Sequence, residues 1–110
     1  MSEKLTAEVI DVLFAVVESR RGGDASESYT AQLFSRGAKK IAQKFGEEAV
    51  ETMIAALQEG PDALANESAD LMYHLCVLWA EAGVRPEDVW AKLAAREGVS
   101  GLTEKANRKK

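Results

Sequence analysis

The sequence predicts an all-α fold, a helical bundle of about five helices completed by homo-oligomerisation. Three observations carry this. Apolar residues recur at three- and four-residue spacing along nearly the whole chain, and no segment alternates apolar with polar residues over a useful length. Glycine or proline punctuates the periodic stretches at Gly22-Gly23, Gly37, Gly60-Pro61, Gly83 and Pro86. The stretch from Leu71 to Ala80, LMYHLCVLWA, is apolar on every side except at His74. Such a helix must be covered all round, and a chain of 110 residues has few helices to spare for it. A second subunit packing there, most simply in a dimer, is the expected remedy; the competing reading is that the first and fifth helices of the same chain do the covering.

The elements follow in order. Thr6 is placed to cap a first helix whose inner face is Val9, Ile10, Leu13, Phe14 and Val17, ending near Gly22-Gly23. A polar loop runs from Gly22 to Glu27. Ser28 caps a short helix through Phe34, with Leu33 and Phe34 inward, and Gly37 breaks or kinks the chain. A long helix from Ala38 to Glu59 has Ile41, Phe45, Met53, Ile54 and Leu57 as its apolar contacts. It ends at Gly60-Pro61, where glycine terminates one helix and proline suits the first turn of the next. The fourth helix runs from Pro61 to Ala82. The fifth starts at Pro86 and runs to Arg96 with Val89, Trp90 and Leu93 inward, and a basic tail follows Gly98 to Gly101.

Composition bounds the function. The length is that of a single domain, residues 1–110, able to bury a core without staples. With 46% apolar and 29% charged residues the chain is of ordinary globular type rather than disordered. The net charge of -4 gives no global footprint for nucleic acid. The polar start, Met1 to Thr6, lacks the apolar region of a secretion signal, and no apolar run reaches the roughly 18 residues of a membrane span. A lone Cys76 excludes an internal disulfide and fits a reducing, cytoplasmic setting. One cysteine and one histidine exclude the zinc sites built from those ligands.

The chemistry-bearing residues are acidic. The long helix carries Lys44, Glu47, Glu48 and Glu51 within a stripe of about 100°, and the next carries Glu67, Asp70 and His74 on one side. Folding the two helices back at Gly60-Pro61 puts Glu51 level with Glu67, Glu48 level with Asp70, and Lys44 level with His74. The two acidic levels lie only about 4.5 Å apart along the axis. Carboxylates so gathered repel one another unless something offsets the charge, and a hard divalent cation, Mg²⁺, is the economical answer. A di-iron site would need a Glu-x-x-His on each of two helices, and Asp70 stands where that histidine would follow Glu67. The bland reading is a solvated acidic face, and spacing alone leaves both open.

At these residues the sequence resembles a known family. Glu48-Ala-Val-Glu51 followed by Glu67-Ser-Ala-Asp70 is similar to the E-x-x-E…E-x-x-D signature of the MazG-like all-α nucleoside triphosphate pyrophosphohydrolases. Within them, four further stretches resemble the phosphoribosyl-ATP pyrophosphohydrolase family. These are Ser28-Tyr29-Thr30-Ala31 with Leu33-Phe34, Lys44-Phe45-Gly46-Glu47-Glu48-Ala49, Leu71-Met72-Tyr73-His74, and the close from Arg96 to Leu102 with Glu104 to Arg108. The likeness covers most of the chain with no departure at the signature positions. It implies Mg²⁺-dependent hydrolysis of the α–β phosphoanhydride of 1-(5-phosphoribosyl)-ATP, giving 1-(5-phosphoribosyl)-AMP and pyrophosphate, the second step of histidine biosynthesis. The cyclohydrolase of the next step, fused to this activity in some organisms, does not fit in so short a chain.

The resemblance implies roles as well. Glu48, Glu51, Glu67 and Asp70 form the metal shell. Glu47 orients or deprotonates the attacking water, or serves as a further ligand. Lys44 and Lys40 contact phosphates; their bland reading is salt bridging to neighbouring acids. Lys105 and Arg108 close over the substrate, from either subunit, unless they are simply a frayed basic end. His74 reads as structural, or else as a hydrogen-bonding neighbour of substrate or acid. Two other functions compete: a related enzyme that destroys free deoxynucleotides such as dUTP or dCTP, and a non-enzymatic helical interaction module.

Overall fold

The computed structural model describes residues 5–98 together with Gly101, Lys105 and Arg108. Among them the secondary structure is helical without strands. α1 spans Glu8–Ser19, α2 Tyr29–Arg36, α3 Ala38–Ile54, α4 Pro61–Ala82 and α5 Pro86–Ala94. The all-α class expected from periodicity is the observed one. The polar start at Met1 to Lys4 and most of the basic tail lie outside the described residues.

The punctuation falls where glycine and proline put it. Ser28 caps α2, its hydroxyl accepting from the Ala31 N–H at 3.1 Å. The expected cap on α1 shifts by one residue: Ala7 occupies the cap position, and Thr6 Oγ1 accepts from the Glu8 N–H at 3.2 Å. Gly37 separates α2 from α3 at φ 91°, ψ 173°, and Gly60 separates α3 from α4 at φ 113°, ψ 174°. An L side chain rarely adopts such φ values, and neither glycine has a neighbour within 4 Å of where a Cβ would stand. Backbone conformation therefore selects glycine at both positions. The long third helix does not stay regular to Glu59. Its last turn, Ala55–Glu59, opens into a π-helix closed by Gly60 N–H to Ala55 O at 3.1 Å.

The core sits between α1, α2, α3 and the C-terminal half of α4. It comprises Ile10, Phe14, Val17, Leu33, Ile41, Cys76, Val77 and Ala80, with Phe34, Tyr73, Trp79 and Trp90 packed against it. Arg21 laces the edge, donating to Ala80 O at 2.6 Å with its guanidinium over the Phe34 ring. Burial pushes the Cys76 thiol up to about 11, so it rests as an inert apolar side chain. The inward faces expected for α1, α3 and α5 need correction. Val9, Met53, Ile54, Leu57 and Leu93 are all exposed. On α1 the stripe Ile10–Phe14–Val17 faces α4, and Val9 joins Val12 and Val16 on the far side. Toward and beyond the end of α3, one helical stripe, Val50, Met53, Ile54 and Leu57, is left exposed.

Ile41 is fully buried at the meeting of α2, α3 and α4. Truncation to alanine removes its transfer energy and leaves a cavity. Ile41→Ala should lower unfolding free energy by about 2–5 kcal/mol in a urea titration; a cost below that of an exposed substitution would contradict this packing.

Candidate active site

α3 and α4 form an antiparallel pair joined at Gly60, and among the described residues this pair is the most extensively packed. The Thr52 hydroxyl marks its register. Oγ1 donates to the main-chain oxygen of Glu48 at 2.8 Å on its own helix and lies 3.3 Å from the main-chain oxygen of Glu67 across the pair. Position 52 thus stands beside 67, within a residue of the level expected from folding the chain at the turn.

That register gathers acids. Carboxylate oxygens of Glu48, Glu67 and Asp70 all lie within 4.8 Å of one another, with Glu48 and Glu67 partly buried and Asp70 exposed. Partial burial and the neighbouring charges of Glu51, Asp70, Glu48 and Glu59 raise the Glu67 carboxyl above the ordinary carboxylate range. Of the four expected shell residues, three converge. Glu51 is exposed and outside the trio, close enough that its charge is the largest single one felt by Glu67. The donor set suits a hard divalent cation: it is all oxygen and anionic, and its mutual repulsion a cation would relieve.

The remaining candidates are placed differently. Glu47 turns back on its own helix, where Oε2 accepts from Gln43 Nε2 at 2.8 Å and Oε1 pairs with Lys44 Nζ at 3.2 Å. Those two hydrogen bonds hold its carboxyl below the usual range. Lys44 is raised by the same partnership and by the nearby Tyr29. Lys40 is half-buried, and its charge reaches Glu47 more weakly. Lys105 and Arg108 are exposed, within a tail most of which lies outside the described residues. His74 is buried, its Nδ1 2.9 Å from Asp70 O. The sequence reading missed Thr52, which a helical periodicity argument treats as a neutral polar residue. It also missed the hydrogen bond between Thr30 and Tyr73 that ties α2 to α4.

Fold and site together define a class: an all-α helical bundle with carboxylates gathered between two antiparallel helices. Comparison with known proteins narrows it. The model of the phosphoribosyl-ATP pyrophosphohydrolase family matches residues 13–97. A protein of Paramagnetospirillum magneticum named phosphoribosyl-ATP pyrophosphatase is 59% identical over 104 residues, covering 94% of this chain and 95% of its own. A protein of the same name from Azospirillum brasilense is 59% identical over 107 residues, 97% of this chain and 96% of its own. One from Rhodospirillum rubrum is 60% identical over 103 residues, 94% and 88%. The chain belongs to the phosphoribosyl-ATP pyrophosphohydrolase family, a family of hydrolases.

The Glu67 environment has a pH signature. A carboxyl raised in the folded state binds its proton more tightly there than in the unfolded chain, so stability falls as pH rises through and just above the carboxylate range. In metal-free protein, Glu67→Gln should therefore melt higher than the parent at neutral pH. The gap should close below the carboxylate range, as thermal melts at the two pH values would show. An equal gap at both would mean that Glu67 feels no such repulsion.

Proposed function

We propose that the chain hydrolyses the α–β phosphoanhydride of 1-(5-phosphoribosyl)-ATP to 1-(5-phosphoribosyl)-AMP and pyrophosphate, in histidine biosynthesis. The observation that carries this reading is the carboxylate trio of Glu48, Glu67 and Asp70 on the helix pair where the family signature falls. Family membership and the shared name of the relatives support the choice of substrate. The preference over free deoxynucleotides rests on the same ground.

Mg²⁺ is the proposed cofactor. Glu48, Glu67 and Asp70 would hold it, with Glu51 as the fourth carboxylate. Bound there, the cation would neutralise phosphate charge and lower the pKa of a coordinated water. The protein's own share is positioning and electrostatics, since phosphoryl transfer asks little covalent work of side chains. Lys44 and Lys40 would face the phosphates, and Lys105 and Arg108 would close the site. Glu47 would orient the attacking water once it leaves the grip of Gln43 and Lys44.

We also propose a dimer. The bare stripe Val50, Met53, Ile54 and Leu57, with Met72 exposed on the adjoining helix, is the surface a second copy would cover. The setting would be the cytoplasm; no described helix is long and apolar enough to cross a membrane.

Three measurements test this. Pyrophosphate release from phosphoribosyl-ATP should require Mg²⁺, stop with EDTA and exceed release from a panel of dNTPs; faster turnover of the free nucleotides would give the enzyme a different substrate. Glu48→Gln and Asp70→Asn should each lose at least about a hundredfold in turnover with an unchanged helical spectrum, the scale of losing a key electrostatic contributor. Full activity in both would leave the acids a solvated face. Leu57→Glu should shift the sedimentation of the chain from dimer toward monomer.

A further inference from the structure

His74 lies one turn beyond Asp70 on α4, nine-tenths buried, and its two ring nitrogens stand in opposite circumstances. Nδ1 is 2.9 Å from the main-chain oxygen of Asp70. A carbonyl oxygen only accepts, so Nδ1 carries the hydrogen of that pair, and in the neutral ring Nε2 is a bare acceptor. Nε2 is buried without a hydrogen-bond partner. Buried polar atoms are otherwise almost always satisfied, because an orphan forfeits the hydrogen bonds it had in water.

Two tyrosines flank the ring. The Tyr73 ring meets the imidazole edge-on at 4.9 Å, but its hydroxyl is already engaged with Thr30. Tyr29 also meets it edge-on, at 6.3 Å, and stacks on Tyr73 at 6.4 Å. Unlike its neighbours Tyr29 is about half exposed, and it lies near enough to Lys44 to influence that ammonium. The unsatisfied acceptor therefore sits in an aromatic corner. Tyr29 is the half-exposed member of that corner, and the other ring nitrogen rests on the main chain of Asp70, one of the acidic trio.

We propose that His74 is a substrate-contacting residue: Nε2 accepts a hydrogen bond from a hydroxyl or N–H group of the nucleotide, with Tyr29 as the wall that yields to admit it. Phosphate oxygens offer no hydrogen to a bare lone pair, which leaves the sugar hydroxyls and the base as the matching chemistry. The contact would thus read the nucleoside part of the substrate while the acids deal with its phosphates. This rests on the hydrolase reading above.

The two amide variants separate the ring nitrogens. Asn at 74 keeps a donor near the place of Nδ1 and nothing near Nε2; Gln carries its amide out to the place of Nε2. His74→Asn should raise KM by about tenfold, the worth of one hydrogen bond, with kcat nearly unchanged, and His74→Gln should recover most of it. His74 is the chain's single histidine, so its ¹⁵N resonances in the unaltered protein need no assignment. Saturating phosphoribosyl-AMP should move Nε2 and leave Nδ1 in place. Equal KM values in both variants and the parent, or an Nε2 resonance unmoved at saturation, would overturn the proposal and leave the lone pair to a buried water. Turnover of phosphoribosyl-ATP by the unaltered protein reports separately on the substrate reading. If only free dNTPs are hydrolysed, that reading fails, and the same variants are compared on the dNTP that is.

Discussion

The antiparallel register of α3 against α4 is the constraint on which the rest depends. Gly60 supplies a backbone conformation few other residues tolerate, and Pro61 starts the next helix without a wasted N–H. The π-helical last turn of α3 sets where the chain reverses. Thr52 marks the resulting register, its hydroxyl 3.3 Å from the Glu67 main-chain oxygen across the pair. A helical side chain is displaced by about 100° for each residue of slip. A register one residue different would leave Glu48 and Asp70 facing different quarters. The acids converge because the turn is held, and nothing about the acids themselves would bring them together.

Much of this was legible in the sequence. Periodicity and glycine punctuation gave the helices nearly to the residue, because breaks at Gly37, Gly60 and Gly83 are enforced by backbone sterics that local sequence encodes. The facing of Glu48 and Asp70 followed from the same arithmetic. What could not be read was which apolar residues would find a neighbour. Val9, Met53, Ile54, Leu57 and Leu93 all carry helical spacing, yet each is exposed. Spacing shows that a face is apolar; it does not show what lies opposite. Side-chain competition was likewise invisible. Glu47 and Glu48 are adjacent in an apparently uniform acidic run, but Gln43 and Lys44 are one turn back and capture only the first.

That capture divides the acidic run into two electrostatic populations. Glu47 has cationic and amide partners, and its carboxyl is held below the ordinary range. Glu67 has partial burial and four neighbouring carboxylates, and its carboxyl is held above. The causes are local: two side chains one turn back act on Glu47, and gathered carboxylates act on Glu67. The contrast also explains why Glu51 matters outside the trio: it adds negative potential at Glu67 without sharing its space.

The unfavourable charge is affordable because of where it lies along α4. Glu67 and Asp70 stand on its N-terminal half, where side chains are partly or fully exposed, while Cys76, Val77 and Ala80 on the C-terminal half are locked into the core. Coulomb repulsion falls with solvent screening, so acids gathered near water cost little next to the apolar burial a few turns away. His74 stands at the border, buried like the core yet bonded to the backbone of Asp70. One rigid helix thus carries stability at one end and electrostatic tension at the other. The fold does not depend on relieving that tension, so it would be available to the proposed cation.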